Sequence, residues 1–180
     1  TEKLDKLIND SPINELDFIK IDTQGSELQI LKGAKNSLYD VVGLEVEVEF
    51  VELYKNQPLF DEINEYILQK KFDLFDLKMT HWKKNHHPVD NKKGQLIYAD
   101  ALYFKSPNTV LEMKNISTEK IIRAMFVYLA YDYFSLVEEI IDLSFKKNFF
   151  SEKDYFRLKI FLKKNFKSKN IPNFKGKGRL

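Results

Sequence analysis

The stretch "DFIKIDTQGSELQILKGA", residues 17–34, constrains this chain more than any other. A short apolar run ends in Asp22, a turn carrying Gly25 follows, and an amphipathic segment begins at once. A near-continuous apolar run over residues 16–22 fits a strand covered on both faces, as in a parallel sheet. Ser26 is placed to cap a helix, with Glu27 and Gln29 in its first turn. Leu28, Leu31 and Leu38 recur at roughly helical spacing, which predicts a helix to about Tyr39. Strand, turn and helix in this order are a unit of an α/β sheet. Only sixteen residues precede the unit, too few to supply the rest of such a sheet.

The sequence downstream continues the alternation. In "VVGLEVEVEF", residues 41–50, Glu45, Glu47 and Glu49 alternate with Val46, Val48 and Phe50. Side chains on a strand alternate faces, so the three glutamates share one face, roughly 6–7 Å apart. Three like charges against a dry layer would be very costly, so the strand is expected to leave the sheet here, at the carboxyl edge where open α/β sheets bind ligands. "PLFDEINEYILQKK" predicts a helix with Leu59, Ile63, Tyr66 and Ile67 as its apolar stripe. "FDLFDLKM" and "QLIYADALYF" read as two strands, and the polar loop between them leaves no room for a helix, so they should pair antiparallel. The order is β-α-β-α-β-β. "SPNT", residues 106–109, reads as a linker. Beyond it, Ser117 or Thr118 would cap one long helix reaching Ile141. Ser151 would cap another that buries Tyr155, Leu158 and Phe161 or Leu162.

Composition narrows the class. A hydrophobic fraction of 43% supports a sizeable core. No apolar stretch approaches the length of a membrane span, and no basic-then-apolar leader points to secretion. The absence of cysteine excludes disulfides and thiolate metal sites and fits the cytoplasm. Thr1 in place of Met points to excision from a longer polypeptide. Charge is segregated. Residues 146–180 hold twelve Lys or Arg against Glu152 and Asp154, a charge of +10, so the remainder carries −8 of the net +2.

The arrangement resembles the second half of a class I, Rossmann-like methyltransferase sheet, and the residues narrow the likeness. "DFIKIDTQGSELQILKGA" resembles the D-x-I-K-I-D-x-E-G-x-E-x-x-x-L-x-G-A segment of the FkbM-type methyltransferases. "VVGLEVEVEF" with "LYKNQPLFDEINEYI" looks like the family's next strand and helix, and "GQLIYADALYF" like its closing strand. The resemblance covers about residues 1–105. Gln24 stands where the family usually has Glu, which removes the charge at that position. The fold implied is α/β, the carboxyl-terminal half of a Rossmann-like sheet over residues 1–105, followed by a basic α-helical extension over 106–180. In the family, the first half of the sheet carries the Gly-rich turn and the acid that hold S-adenosylmethionine. No strand followed by G-x-G occurs in this sequence, so the cofactor-binding half is expected to be a missing partner. The strand at 16–22 would then present an open, self-associating edge.

The resemblance implies candidate catalytic residues Asp22, Glu27 and Glu45. A methyl acceptor loses a proton as it attacks, and Asp22 at a strand end is placed to take it or to orient the acceptor; its alternative role is a turn residue bonding nearby N–H groups. Glu27 matches the family's second acid and equally suits first-turn helix stabilisation. Glu45 matches an acid at the next strand end, where crowding by Glu47 should raise the proton affinity of one of the two; the alternative is a solvated strand end. The three acids would also suit an oxygen-ligated divalent cation, though no metal is assigned. His81, His86 and His87 lack zinc-ligand spacing and read as an exposed loop, which with Trp82 would help cover an acceptor.

Two functions follow. The first is a fragment of an S-adenosylmethionine-dependent methyltransferase, acting on oxygen of a sugar, glycan or other polar small molecule and inactive as this chain alone. The second is a non-catalytic binding module whose basic helical tail engages a polyanion: a nucleic acid, an anionic membrane surface or an acidic glycan. The aromatics interleaved in that tail either form a stacking or membrane-surface segment or pack inward beneath solvated lysines.

Overall fold

A computed structural model describes residues 3–12, 15–83 and 94–165. The strands are β1 (Phe18–Ile21), β2 (Gly43–Glu49), β3 (Asp73–Trp82) and β4 (Gln95–Phe104). The helices are α1 (Leu4–Asn9), α2 (Glu27–Gly33), α3 (Phe60–Leu68), α4 (Pro107–Leu111), α5 (Thr118–Ala130), α6 (Phe134–Lys146) and α7 (Glu152–Asn165). The strands form one mixed sheet in the order β1-β2-β4-β3. β1 runs parallel to β2, while β4 lies antiparallel to both β2 and β3. The chain is therefore an α/β protein. The two final strands pair antiparallel, as the sequence leads one to expect.

Strand alternation sorts the side chains onto two faces. One face carries Ile19 and Ile21 of β1, Leu44, Val46 and Val48 of β2, and Ala99, Ala101 and Tyr103 of β4. α2 and α3 cover it with Leu28, Leu31, Ile63 and Ile67. The other face begins with Phe18, Leu102 and Phe104, which join a second cluster made with α4, α5 and α6. The layer of helices after residue 105 is thus built onto the sheet. Polar ties hold it there. Lys120 Nζ donates to Asp17 Oδ1 at 2.6 Å and to the Leu16 carbonyl at 2.9 Å. Arg123 Nε donates to Asp17 Oδ2, and the Tyr128 hydroxyl donates to the buried Lys105 carbonyl.

β1 is an edge strand among the described residues. The Asp17 carbonyl accepts from Val42 and Gly43 of the β2 side. Backbone groups alternate sides along a strand, so those of Phe18 and Lys20 face away from β2.

Four expectations from the sequence need correction. The first helix does not reach Tyr39. It ends at Gly33, and a separate 3-10 turn spans Ser37–Tyr39, where Asp5 of α1 accepts from Asn36 and Ser37 backbone N–H groups and so caps it from across the chain. "SPNT" is no linker. Ser106 Oγ accepts from Thr109 N, Pro107 opens α4, and Val110 and Leu111 are buried. The long helix is two helices, broken at Asp132 with φ 63°, so that Tyr131 and Tyr133 turn back onto the sheet. Finally, β2 does not leave the sheet at its glutamates. It stays paired with β4 through Glu49↔Tyr98, and Glu49 is only 1% exposed. Ser151 caps α7 as expected, accepting from Asp154 N. His81 stands within β3, and His86 and His87 lie outside the described residues.

Candidate functional site

The parallel pair β1 and β2 ends in two loops that clasp each other. After β1, the chain turns through Thr23, Gln24 and Gly25, with φ 54° at Gln24 and 105° at Gly25. Glu27 organises this turn. Its side chain is fully buried, Oε1 accepts from Thr23 N and Thr23 Oγ1, and Oε2 accepts from Gly25 N, each at 2.9 Å. Ser26, the expected cap, makes no side-chain capping bond. After β2, Gln57 does the equivalent work in the loop 50–57. Its Oε1 accepts from Leu53 N and Tyr54 N. The Tyr54 hydroxyl then donates to Gln24 Oε1 at 3.1 Å, which closes the two loops over the strand ends.

Beneath the loops, the face of the sheet on which α4, α5 and α6 pack changes from aromatic to charged along the strands. The first layer is Phe18, Gly43 and Phe104. The next holds Lys20 and Glu45. Lys20 Nζ donates to Glu45 Oε1 at 2.5 Å, and the Tyr131 hydroxyl donates to Glu45 Oε2 at 2.9 Å. Tyr131 comes from the α5–α6 break and stacks on Phe18 with ring centroids 5.1 Å apart. The following layer pairs Glu47 with Asp100, which also takes an ion pair from Lys78 at 3.6 Å. Glu49 ends the series.

These positions set different proton affinities. Burial would raise the Glu45 pKa, but the bonds from Lys20 and Tyr131 outweigh it and hold the carboxyl below its ordinary value. Glu47 is pushed up by burial and then by the charges of Asp22, Asp100 and Glu27. Glu49 is pushed up to about 7, first by burial and then by Glu27 and Glu47. Its Oε2 and the Gln57 Nε2 are both buried without a hydrogen-bond partner. The amide lies close enough to lower the Glu49 pKa slightly, without reaching bonding geometry. Glu47 is thus raised chiefly by burial and by Asp22, Asp100 and Glu27, not by crowding from Glu45, and Glu49 is raised furthest, again chiefly by burial.

The structure places Asp22, Glu27 and Glu45 in three different states: Asp22 just past the end of β1, Glu27 in the turn that follows, and Glu45 within β2 opposite Lys20 rather than at a strand end. Asp22 is exposed at the tip of β1. Glu27 is saturated by its own turn, and Glu45 is locked as a charge between Lys20 and Tyr131. Among the described residues, no group of three His, Asp or Glu is disposed to hold a metal ion. Sequence reasoning missed Tyr131, which sits in a helix break with no motif around it, and the clasp of Gln24 with Tyr54. It placed Glu49 on the right face but expected it to be solvated. A cleft of about 380 Å³ lies at the opposite end of the sheet, between Asp5, Asn36, Asn115 and Lys120, remote from all of these acids.

Residues 1–74 match the family model of the Methyltransferase FkbM domain. The matched part is under half of the chain and runs from α1 to the start of β3, so it contains both clasped loops and every glutamate of β2. The FkbM-type resemblance read from the residues is supported over that part. Searches among curated proteins and among solved structures gave no match. Among the described residues, no helix is long and apolar enough to cross a membrane.

Proposed function

We propose, taking the FkbM methyltransferase match over residues 1–74 as the premise, that this chain is the acceptor-side half of an S-adenosylmethionine-dependent methyltransferase acting on oxygen of a sugar or other polar metabolite. The observation that carries the reading is the pair of parallel strands whose carboxyl ends bear Asp22 and Glu49, with Glu45 and Glu47 on the same face of β2 and the outer edge of β1 unpaired among the described residues. A parallel unit followed by an antiparallel hairpin is the arrangement expected for the second half of such a sheet. The first half would pair along Phe18 and Lys20.

S-adenosylmethionine would supply an electrophilic methyl group. The described residues do not themselves fit it. Gly25 packs against Tyr54 and Gln57, Gly43 is buried against Phe104, and neither opens a glycine-rich cradle after a strand. The cofactor site therefore belongs to the other half, and this chain's part is the acceptor. Asp22 is the exposed carboxylate of the three candidate acids and is placed to accept the hydroxyl proton. Glu45, held charged by Lys20 and Tyr131, orients Lys20 toward the same edge. Glu27 acts as a positioning residue by fixing the turn that carries Asp22's neighbours.

In a polypeptide that joins this chain to a cofactor-binding half of the family, Asp22→Asn should lower kcat for methyl transfer by about 100-fold or more. Cofactor affinity should stay unchanged, because Asp22 acts on the acceptor. Glu45→Gln should lower kcat in the same sense. Normal turnover in both variants, measured with labelled methyl donor, would remove the assignment.

A further inference from the structure

The last described helix has two unlike faces. On its inner side Tyr155, Leu158 and Leu162 pack toward α6, with Tyr155 stacked on Phe145 at 4.4 Å and its hydroxyl on Asp142. On its outer side Phe156 is 54% exposed and Ile160 is 64% exposed, one helical turn apart. Of the two alternatives for this segment's aromatics, inward packing holds for Tyr155 but not for Phe156 or Phe161, which is 53% exposed. Lys153, Arg157, Lys163 and Lys164 surround this ridge, are exposed, and make no ion pair among the described residues. Both acids of α7, Glu152 and Asp154, lie in the first turn, and Asp154 is engaged by Ser151. From Tyr155 onward the helix therefore carries cations and no acid.

We propose that this outer face of α7 is a membrane-surface contact, seating Phe156 and Ile160 at the headgroup boundary of a bilayer rich in anionic lipid. An exposed apolar ridge flanked by Lys and Arg is the pattern of a helix that lies in the plane of a membrane interface. Charge selects the occupant. A second copy of the face would bring cation against cation. Residues 166–180 hold five Lys or Arg and no acid, so they do not complement it either. Shape separates lipid from nucleic acid. Ile160, the more exposed of the two, has no flat ring on which a base could stack, whereas acyl chains accept aliphatic and aromatic groups alike. The inference is independent of the methyltransferase reading, since α7 lies outside residues 1–74.

The test is co-sedimentation of the full 180-residue chain with phosphatidylcholine vesicles, with and without phosphatidylserine, at low and high salt. Binding should require phosphatidylserine and fall steeply as salt rises. The double variant Phe156→Ser/Ile160→Ser should bind about tenfold more weakly, and Lys163→Glu/Lys164→Glu at least about tenfold more weakly, with circular dichroism unchanged. Equal binding to neutral vesicles would overturn the proposal. So would variants that bind like the parent, or retention by RNA or heparin with none by the anionic vesicles.

Discussion

Gly43→Val is expected to cost more stability than any other single change in the sheet, and Gly43→Ala about 2–3 kcal/mol. A Cβ at this position would lie 2.6 and 2.7 Å from Cδ1 and Cε1 of Phe104 and 2.9 Å from Cδ2 of Phe18. The Phe104 ring has no room to retreat. Phe104 is fully buried and is boxed by Phe75, Tyr128, Tyr131 and Tyr133, all with centroids within 5.7 Å. Phe18 is backed by Tyr131. Relief therefore requires lifting the whole aromatic layer and the helices above it. Domains of ordinary stability hold only about 5–15 kcal/mol in total, so valine should bring the chain close to unfolding. Urea denaturation of the two variants measures this. Midpoints near the parent's would show that the helices after residue 105 do not press on the sheet as described.

Stability should fall as pH rises from about 4.5 to about 7, and Glu49→Gln should remove most of that fall. Glu49 has an ordinary value of 4.5 when unfolded and about 7 when folded. Within that window the folded state holds more protons than the unfolded chain, so raising the pH favours unfolding. The full shift corresponds to about 3 kcal/mol. Glu47, also raised, acts in the same direction. Glu45 and Asp5 are lowered, so their contributions change below the ordinary carboxylate range and do not mask the effect. At about pH 8 Glu49→Gln should therefore be more stable than the parent by on the order of 2 kcal/mol, with near parity at about pH 5. A parent whose urea midpoint stays flat across this range, with the variant tracking it, would contradict the burial of an uncompensated acid.

Much of the sheet was legible because its strands carry their own pattern. Ile19 and Ile21, and Leu44, Val46 and Val48, alternate on a period of two, and the sequence between the last two strands carries no helical pattern. The helix break at Asp132 was not legible. The hydrophobic spacing runs on past it, and its cause is tertiary: Tyr131 and Tyr133 gain contacts with Phe104 that a continuous helix would deny them. "SPNT" misled because Ser-Pro opens short helices as readily as linkers. At the site, alternation put Glu45, Glu47 and Glu49 on one face, and family likeness drew Asp22, Glu27 and Glu45 together. What each acid does depends on partners distant in sequence. Tyr131 reaches Glu45 across 86 positions, and Gln57 and Glu27 meet Glu49 only once both loops have folded.

If this chain holds the acceptor side of a methyltransferase sheet, as we propose, S-adenosylmethionine binds only once a cofactor side is supplied along β1. The most direct measurement is a calorimetric titration of S-adenosylmethionine into the 180-residue chain by itself. No measurable binding is expected, because no described strand of this chain ends in a turn able to cradle the cofactor. Micromolar binding by the isolated chain would contradict the proposal.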